Sequence, residues 1–191
     1  MQQQSIDETL AHIQQLYEFY GQETYEEKCT QLQHAQQCGT LALEMGLSEE
    51  VALAAFLHDI GHLLAQERKI AGFTSYGYAS HDKLGADFLT QCGFSSRIDY
   101  LVREHVQVKR YLAATVSGYT DNLSHASTVT LQQQGGAMTT EEATTYSATP
   151  HLGEIIQLRK LDDCGKVPEM ACADLFFWLE LARKNILNNQ P

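Results

Sequence analysis

The sequence contains no uninterrupted apolar run near the ~18–20 residues that a membrane-spanning helix needs. Its opening residues, MQQQSIDETL, lack the basic and apolar regions of a signal peptide, so the expected location is the cytoplasm. Positive charge is scarce: 13 Lys and Arg against 24 Asp and Glu leave a net charge of −11. That balance argues against nucleic acid as a partner, because backbone phosphates are held by clustered Lys and Arg. No cysteines are spaced as C-x-x-C. The five present, Cys29, Cys38, Cys92, Cys164 and Cys172, form an odd set that fits reduced thiols acting as small buried hydrophobes. Neither an internal repeat nor strand-like alternation of useful length is found.

Helical signals recur instead. Ser5 and Glu8 form a capping box, with Ile6, Leu10, Ile13 and Tyr17 on one face. A second helix is expected from about Glu27 to Met45, with Gly46 as its stop. Ser48 caps EEVALAAFLHD, whose nearly continuous apolar positions predict a central, buried helix. Further helices are expected at Asp82–Gln91, from Ser95 or Ser96 through Arg110, and around HLGEIIQLRKLDD, with Pro168 opening the last. The Phe176–Phe177–Trp178 cluster reads as core packing of that last helix. The hydroxyl-rich stretch from about Thr115 to Thr149 is either a surface excursion or a binding segment. At 191 residues and 43% hydrophobic content, the expectation is one all-α domain over residues 1–191.

Eight histidines are present, and their placement is more informative than their number. His34 lies in the second expected helix, His58 and Asp59 end the third, and His81 starts the next. His105 follows in another, and Asp162 closes a fifth. Adjacent helical residues point about 100° apart. His58 and Asp59 therefore converge on one ion only near a helix end, which Gly61 is expected to supply. A carboxylate there can bridge two cations roughly 3.5–4 Å apart. The proposed sets are His34, His58, Asp59 and Asp162 for one ion, and Asp59, His81 and His105 for the other. Imidazole and carboxylate suit Fe, Mn, Zn or Ni without choosing among them. His12, His125 and His151 read as ordinary surface or hydrogen-bonded histidines.

Around these ligands, Lys109 follows His105 by one helical turn and Arg159 precedes Asp162 on the same face. Ser127, Thr130 and Gln134 recur before a glycine pair, and His62 follows the His–Asp dipeptide. One Lys, one Arg, one His and several hydroxyls beside a dinuclear centre describe a pocket for one small dianion, not a polyphosphate.

The H…HD…H…H…D pattern resembles the HD-domain superfamily. In combination with HVQVKRYL, LSHASTVTLQQQGGAM, SHDKLGADFL and QLRKLDD, the chain from about Gln31 to Pro168 resembles its mixed-valent di-iron oxygenases. Those enzymes cleave the carbon–phosphorus bond of 1-hydroxy-2-aminoethylphosphonate or its trimethylammonio analogue. The resemblance implies an all-α HD-domain bundle around a dinuclear metal site, with a metal core over about 27–165 and a packing helix over about 168–188. It implies two Fe ions held by His34, His58, Asp59, His81, His105 and Asp162, with dioxygen as co-substrate. His62, Lys109, Ser127, Thr130, Gln134 and Arg159 match residues around the phosphonate, and His62 and Lys109 are the expected catalytic groups. Glu27 matches a carboxylate that receives the substrate's ammonium group. A tyrosine that covers an iron in the aminoethylphosphonate enzymes is replaced here by Thr24, with Tyr25 beside it, and Tyr20, Tyr25, Tyr76 and Tyr78 are candidate rings for a quaternary ammonium. The implied products are phosphate and glycine or glycine betaine. The rivals are a metal-dependent phosphohydrolase on the same fold and a non-catalytic metal-binding module.

Overall fold

In the computed structural model, which describes residues 5–190, local capping sets most helix starts. Ser5 and Glu8 close the expected box and begin α1 (Ile6–Tyr20), which buries Leu10, Ile13 and Tyr17. Thr30 and Gln33 form a second box that starts α2 (Gln31–Glu44). This leaves Glu27 in the preceding turn and not inside a helix. Gly46, at φ +72°, follows α2 as expected. Ser48 caps α3 (Glu49–Leu57), in which every residue from Val51 to Leu57 is buried. The remaining helices are α4 (Ile60–Glu67), α5 (His81–Gln91), α6 (Ser96–Thr115), α7 (His125–Gln133), α8 (Thr140–Tyr146), α9 (Leu152–Cys164) and α10 (Leu175–Asn188). A short 3-10 turn at Thr120–Asn122 precedes α7. The hydroxyl-rich stretch thus carries two short helices.

Helix α3 is the hub, packed by α2, α6, α9 and α10. One continuous hydrophobic core joins α1 to α6, α9 and α10. Among the described residues, no helix is long and apolar enough to cross a membrane.

Several expectations fail locally. Gly61 does not end a helix, since it sits in the first turn of α4. The break lies at Asp59 itself, whose φ of −99° and ψ of 5° separate α3 from α4. Gly61 is needed for a different reason: a Cβ there would meet the His81 carbonyl oxygen at 1.9 Å and Gly85 N at 2.8 Å. Its absence lets α4 lie against the start of α5.

Pro168 does not open the last helix either. Asp174 does, accepting from Phe177 N at 2.9 Å. Residues 166–173 cross α2, which holds the backbone of Val167 and Ala173. Gln37 Nε2 donates to Val167 O, its Oε1 accepts from Val167 N, both at 2.8 Å, and Thr40 Oγ1 accepts from Ala173 N at 3.1 Å. Of the aromatic trio only Trp178 is core, stacked on Phe56 at 5.0 Å over Gly39, while Phe176 and Phe177 are exposed. All five cysteines are free, as expected, but only Cys29 and Cys38 are buried.

Candidate metal centre and substrate cavity

Four buried histidines converge from α2, the end of α3, α5 and α6. Each has one ring nitrogen committed to a backbone carbonyl. His34 Nδ1 is 2.7 Å from Gly165 O and His58 Nδ1 2.7 Å from Ala55 O. His81 Nδ1 is 2.8 Å from Tyr78 O, and His105 Nδ1 2.6 Å from Val102 O. A carbonyl only accepts, so each Nδ1 carries the proton and each Nε2 presents a lone pair. These lone pairs face one another, His34 to His58 at 3.3 Å and His81 to His105 at 2.9 Å. Facing lone pairs repel unless a cation or proton lies between them. Backbone-anchored imidazoles of this kind are the usual support of metal-bound histidine.

The carboxylates divide the array in two. Asp59 Oδ2 lies 3.7 Å from His34 Nε2 and 3.4 Å from His58 Nε2. Asp59 Oδ1 lies 3.2 Å from His81 Nε2 and 3.6 Å from His105 Nε2. Asp162 Oδ1 joins the first set, 3.3 Å from His34 Nε2 and 3.8 Å from His58 Nε2. Metal–ligand bonds of roughly 2.1 Å give ligand–ligand edges of about 3.0–3.4 Å; three of these six separations fall in that range and the others lie within 0.4 Å above it. The donor set fits two cations bridged by the two oxygens of Asp59, and the two groups coincide with those read from the sequence.

Electrostatics point the same way. Burial disfavours charge on His58, yet Asp59 and Asp162 outweigh it and push its pKa up to about 10. Burial likewise opposes ionisation of Asp59 and Asp162, but His58 for the first and Arg159 for the second hold both well below the usual carboxylate range. The carboxylates therefore favour positive charge beside His58, while burial and the neighbouring histidines hold the pKa of His105 down. Cys38 Sγ is near His34 as well, but burial raises its thiol pKa and the thiol donates to Leu161 O at 3.4 Å.

His62 has the opposite tautomer. Its Nδ1 accepts from Tyr78 N at 2.9 Å, which leaves the proton on Nε2, 3.8 Å from Asp59 Oδ1. Stacked on His81 at 3.7 Å, it adjoins the cluster as a hydrogen-bond donor. Gly77 permits this: at φ +86°, a Cβ would sit 2.4 Å from His62 Nδ1.

A cavity of about 60 Å³ opens onto the cluster. That is room for a small ligand. Lys109, Ser127, Thr130, Arg159, Glu27, Tyr25 and His62 all line it, and Gln134 does not. Lys109 is buried and donates to Thr130 Oγ1 at 3.0 Å, leaving two of its three N–H groups for a ligand. Burial, helped by Arg159, lowers its pKa to about 7. Arg159 is committed to Asp162, Asp163 and Tyr119, with Nη1 to Asp162 Oδ2 at 2.5 Å, so it orients the ligating carboxylate. Gln134 Nε2 donates to Ala79 O at 3.4 Å, tying the end of α7 to the loop before α5. Tyr25 is buried at φ +46°, its ring 5.2 Å from His62 and its hydroxyl donating to Gln66 Oε1 at 3.2 Å.

Three lining residues escaped the sequence reading, Gln31, Ala126 and Lys166, while Tyr76 was among the aromatics it offered. Lys166 donates to Glu27 Oε1 at 2.8 Å and to Ser127 Oγ at 3.1 Å. Its spacing of four from Asp162 was the available signal, the same one that marked Lys109 after His105. Gln31 Oε1 is buried without a hydrogen-bond partner among the described residues. The three histidines set aside do lie outside the cluster; His12, for one, pairs with Glu67 at 2.9 Å.

Residues 32–146 match the HD domain family. The chain belongs to that family. This HD-domain protein is 36% identical over 172 residues to the 1-hydroxy-2-(trimethylamino)ethyl phosphonate dioxygenase (glycine-betaine-forming) of Leisingera caerulea, covering 90% of this chain and 87% of the relative. It is 33% identical over 168 residues to the hydroxymethylphosphonate dioxygenase of Gimesia maris, covering 88% and 83% respectively. It is also 35% identical over 179 residues to the uncharacterized protein L432 of Acanthamoeba polyphaga mimivirus, with 93% and 82% covered.

Proposed function

We propose that this protein is a di-iron oxygenase that cleaves the carbon–phosphorus bond of a small 1-hydroxyalkylphosphonate. The substrate is 2-amino-1-hydroxyethylphosphonate or its 2-trimethylammonio counterpart, and the products are phosphate and glycine or glycine betaine. The observation that carries the reading is the array of four Nε2 lone pairs split by the two oxygens of Asp59, set beside Lys109, Thr130 and Ser127. The two named relatives act on hydroxyphosphonates, which supports the same chemistry here.

A mixed-valent Fe(II)/Fe(III) pair held by His34, His58, Asp59, His81, His105 and Asp162 would supply a Lewis-acidic anchor and the redox partner that dioxygen requires. Everything else falls to the chain. Lys109 and the Ser127 and Thr130 hydroxyls hold the phosphonate dianion by charge-assisted hydrogen bonds. His62 donates from Nε2 to an oxygen of the bound ligand. Glu27 takes the ammonium end, and Gln31 Oε1 offers an acceptor that a primary ammonium can use and a trimethylammonium cannot, which favours the amino compound. Fixing both ends of so small a molecule positions its C1–H bond, and positioning is a large part of barrier lowering. The reaction balances without water: the C1–H and C–P bonds each give up two electrons, and all four reduce dioxygen. The two oxygen atoms complete the carboxylate and the phosphate, and one proton is released.

The test is phosphate release from Fe(II)-loaded protein with each of the two substrates, with and without dioxygen. Oxygen-dependent release from either is expected. Release that is indifferent to oxygen, or hydrolysis of a small phosphate ester in its place, would leave a phosphohydrolase. Metal binding without either activity would leave a binding module.

A further inference from the structure

Glu27 does not meet the cavity as a free carboxylate. Lys166 Nζ donates to its Oε1 at 2.8 Å, and Ser124 Oγ donates to the same oxygen at 2.6 Å. Both members of the ion pair are largely buried, with side chains 14% and 15% exposed, and both line the cavity. Lys166 is no wandering surface lysine. Its Nζ also reaches Ser127 Oγ at 3.1 Å and stands 3.8 Å from Asp162 Oδ1. The chain on either side is pinned, since Gly165 O accepts from His34 and Val167 is clamped by Gln37.

The consequence is electrostatic. In a cavity screened from water, an unpaired carboxylate would attract a cationic substituent strongly, because unit charges a few ångströms apart interact far more than they do in bulk solvent. With Lys166 in place, the Glu27 end carries no net charge. Only Oε1 of Glu27 is taken by Lys166 and Ser124, so a cation can still be received, but against the repulsion of a neighbouring ammonium. A substrate with no positive substituent meets no such opposition.

Resting on the oxygenase reading above, we propose that Lys166 is a specificity-determining residue. By pairing with Glu27 it holds down the cavity's preference for 1-hydroxyphosphonates with a cationic substituent and admits those with none. The quantity that reports this is the ratio of kcat/KM for 2-amino-1-hydroxyethylphosphonate to that for hydroxymethylphosphonate. Any general damage to the metal centre enters both terms and cancels.

In K166M the ratio rises by at least about tenfold, because Glu27 is left unpaired. In K166R, which keeps the charge, it stays within about threefold of the parent protein. In E27Q, which leaves Lys166 as the uncompensated cation, it falls by at least about tenfold. This second direction keeps the test decisive if K166M does not fold. An unchanged or lower ratio in K166M, or an unchanged ratio in E27Q, overturns the proposal. The same ratio is measured without turnover, as the dissociation constants of the two phosphonates for metal-loaded protein under anaerobic conditions. Binding ratios that move as stated while no phosphate is released uphold Lys166 and sink the oxygenase. Phosphate release with immobile ratios does the reverse.

Discussion

Replacing Gly61 by alanine tests how the two halves of the metal centre are held in register. The added Cβ would lie 1.9 Å from the His81 carbonyl oxygen, 2.7 Å from its carbon and 2.8 Å from Gly85 N. These are backbone atoms of α5, which no rotamer change can move. To restore ordinary contact the start of α5 must withdraw by roughly 1.5 Å. His81 is carried on that turn, and its Nε2 lies 3.2 Å from Asp59 Oδ1. Metal bonds tolerate about ±0.2 Å, so the site of Asp59, His81 and His105 opens. The site of His34, His58 and Asp162 does not cross this contact. Overpacking of this kind costs about 1–3 kcal/mol, and for a chain of this size Tm falls by roughly 2–4 °C per kcal/mol. The expected G61A protein is folded, melts about 2–12 °C lower, and retains one of two metal ions per chain by elemental analysis. A G61A protein with two ions and the parent Tm would refute the reasoning.

Three further outcomes are expected. Lys109 has a depressed pKa of about 7, so its ammonium is present below that pH and lost above it. The profile of kcat/KM, which reports the free enzyme, should fall as pH rises through about 7, and in K109R this upper limb should disappear. Tyr17 donates to Phe56 O at 2.8 Å inside the core, and Y17F strands that carbonyl at the end of α3. A loss of about 1–3 kcal/mol in denaturant unfolding is expected, with metal content unchanged. Chelation should lower Tm, since a ligand at a hundred times its Kd contributes about 2.7 kcal/mol per site. Readdition of Fe(II) should restore it, and a chelator-insensitive Tm would count against the cluster as a metal centre.

The gathering of the six candidate ligands was legible in the sequence because the pattern is joint: His34, His81, His105 and Asp162 sit on helices, and His58 and Asp59 at the break between α3 and α4. Lys109, one turn after His105, follows from helix periodicity. Gly61 was misread because its role is tertiary: nothing local tells that α5 will pass within reach of its missing side chain. Pro168 was misread because a proline tolerated at a helix start is tolerated equally in a turn, and the clamp by Gln37 and Thr40 is visible only once α2 and residues 166–173 are side by side. Lys166 lies beyond the end of α9, so its four-residue spacing from Asp162 did not promise a shared face. Gln31 stands in the first turn of α2, three residues before His34, and that spacing was the available signal.

The most direct measurement counts dioxygen consumed against phosphate formed, with Fe(II)-loaded protein, excess 2-amino-1-hydroxyethylphosphonate and limiting dioxygen. The account predicts one phosphate and one glycine for each dioxygen, and none once oxygen is spent. Phosphate that continues to accumulate after oxygen is exhausted would contradict it.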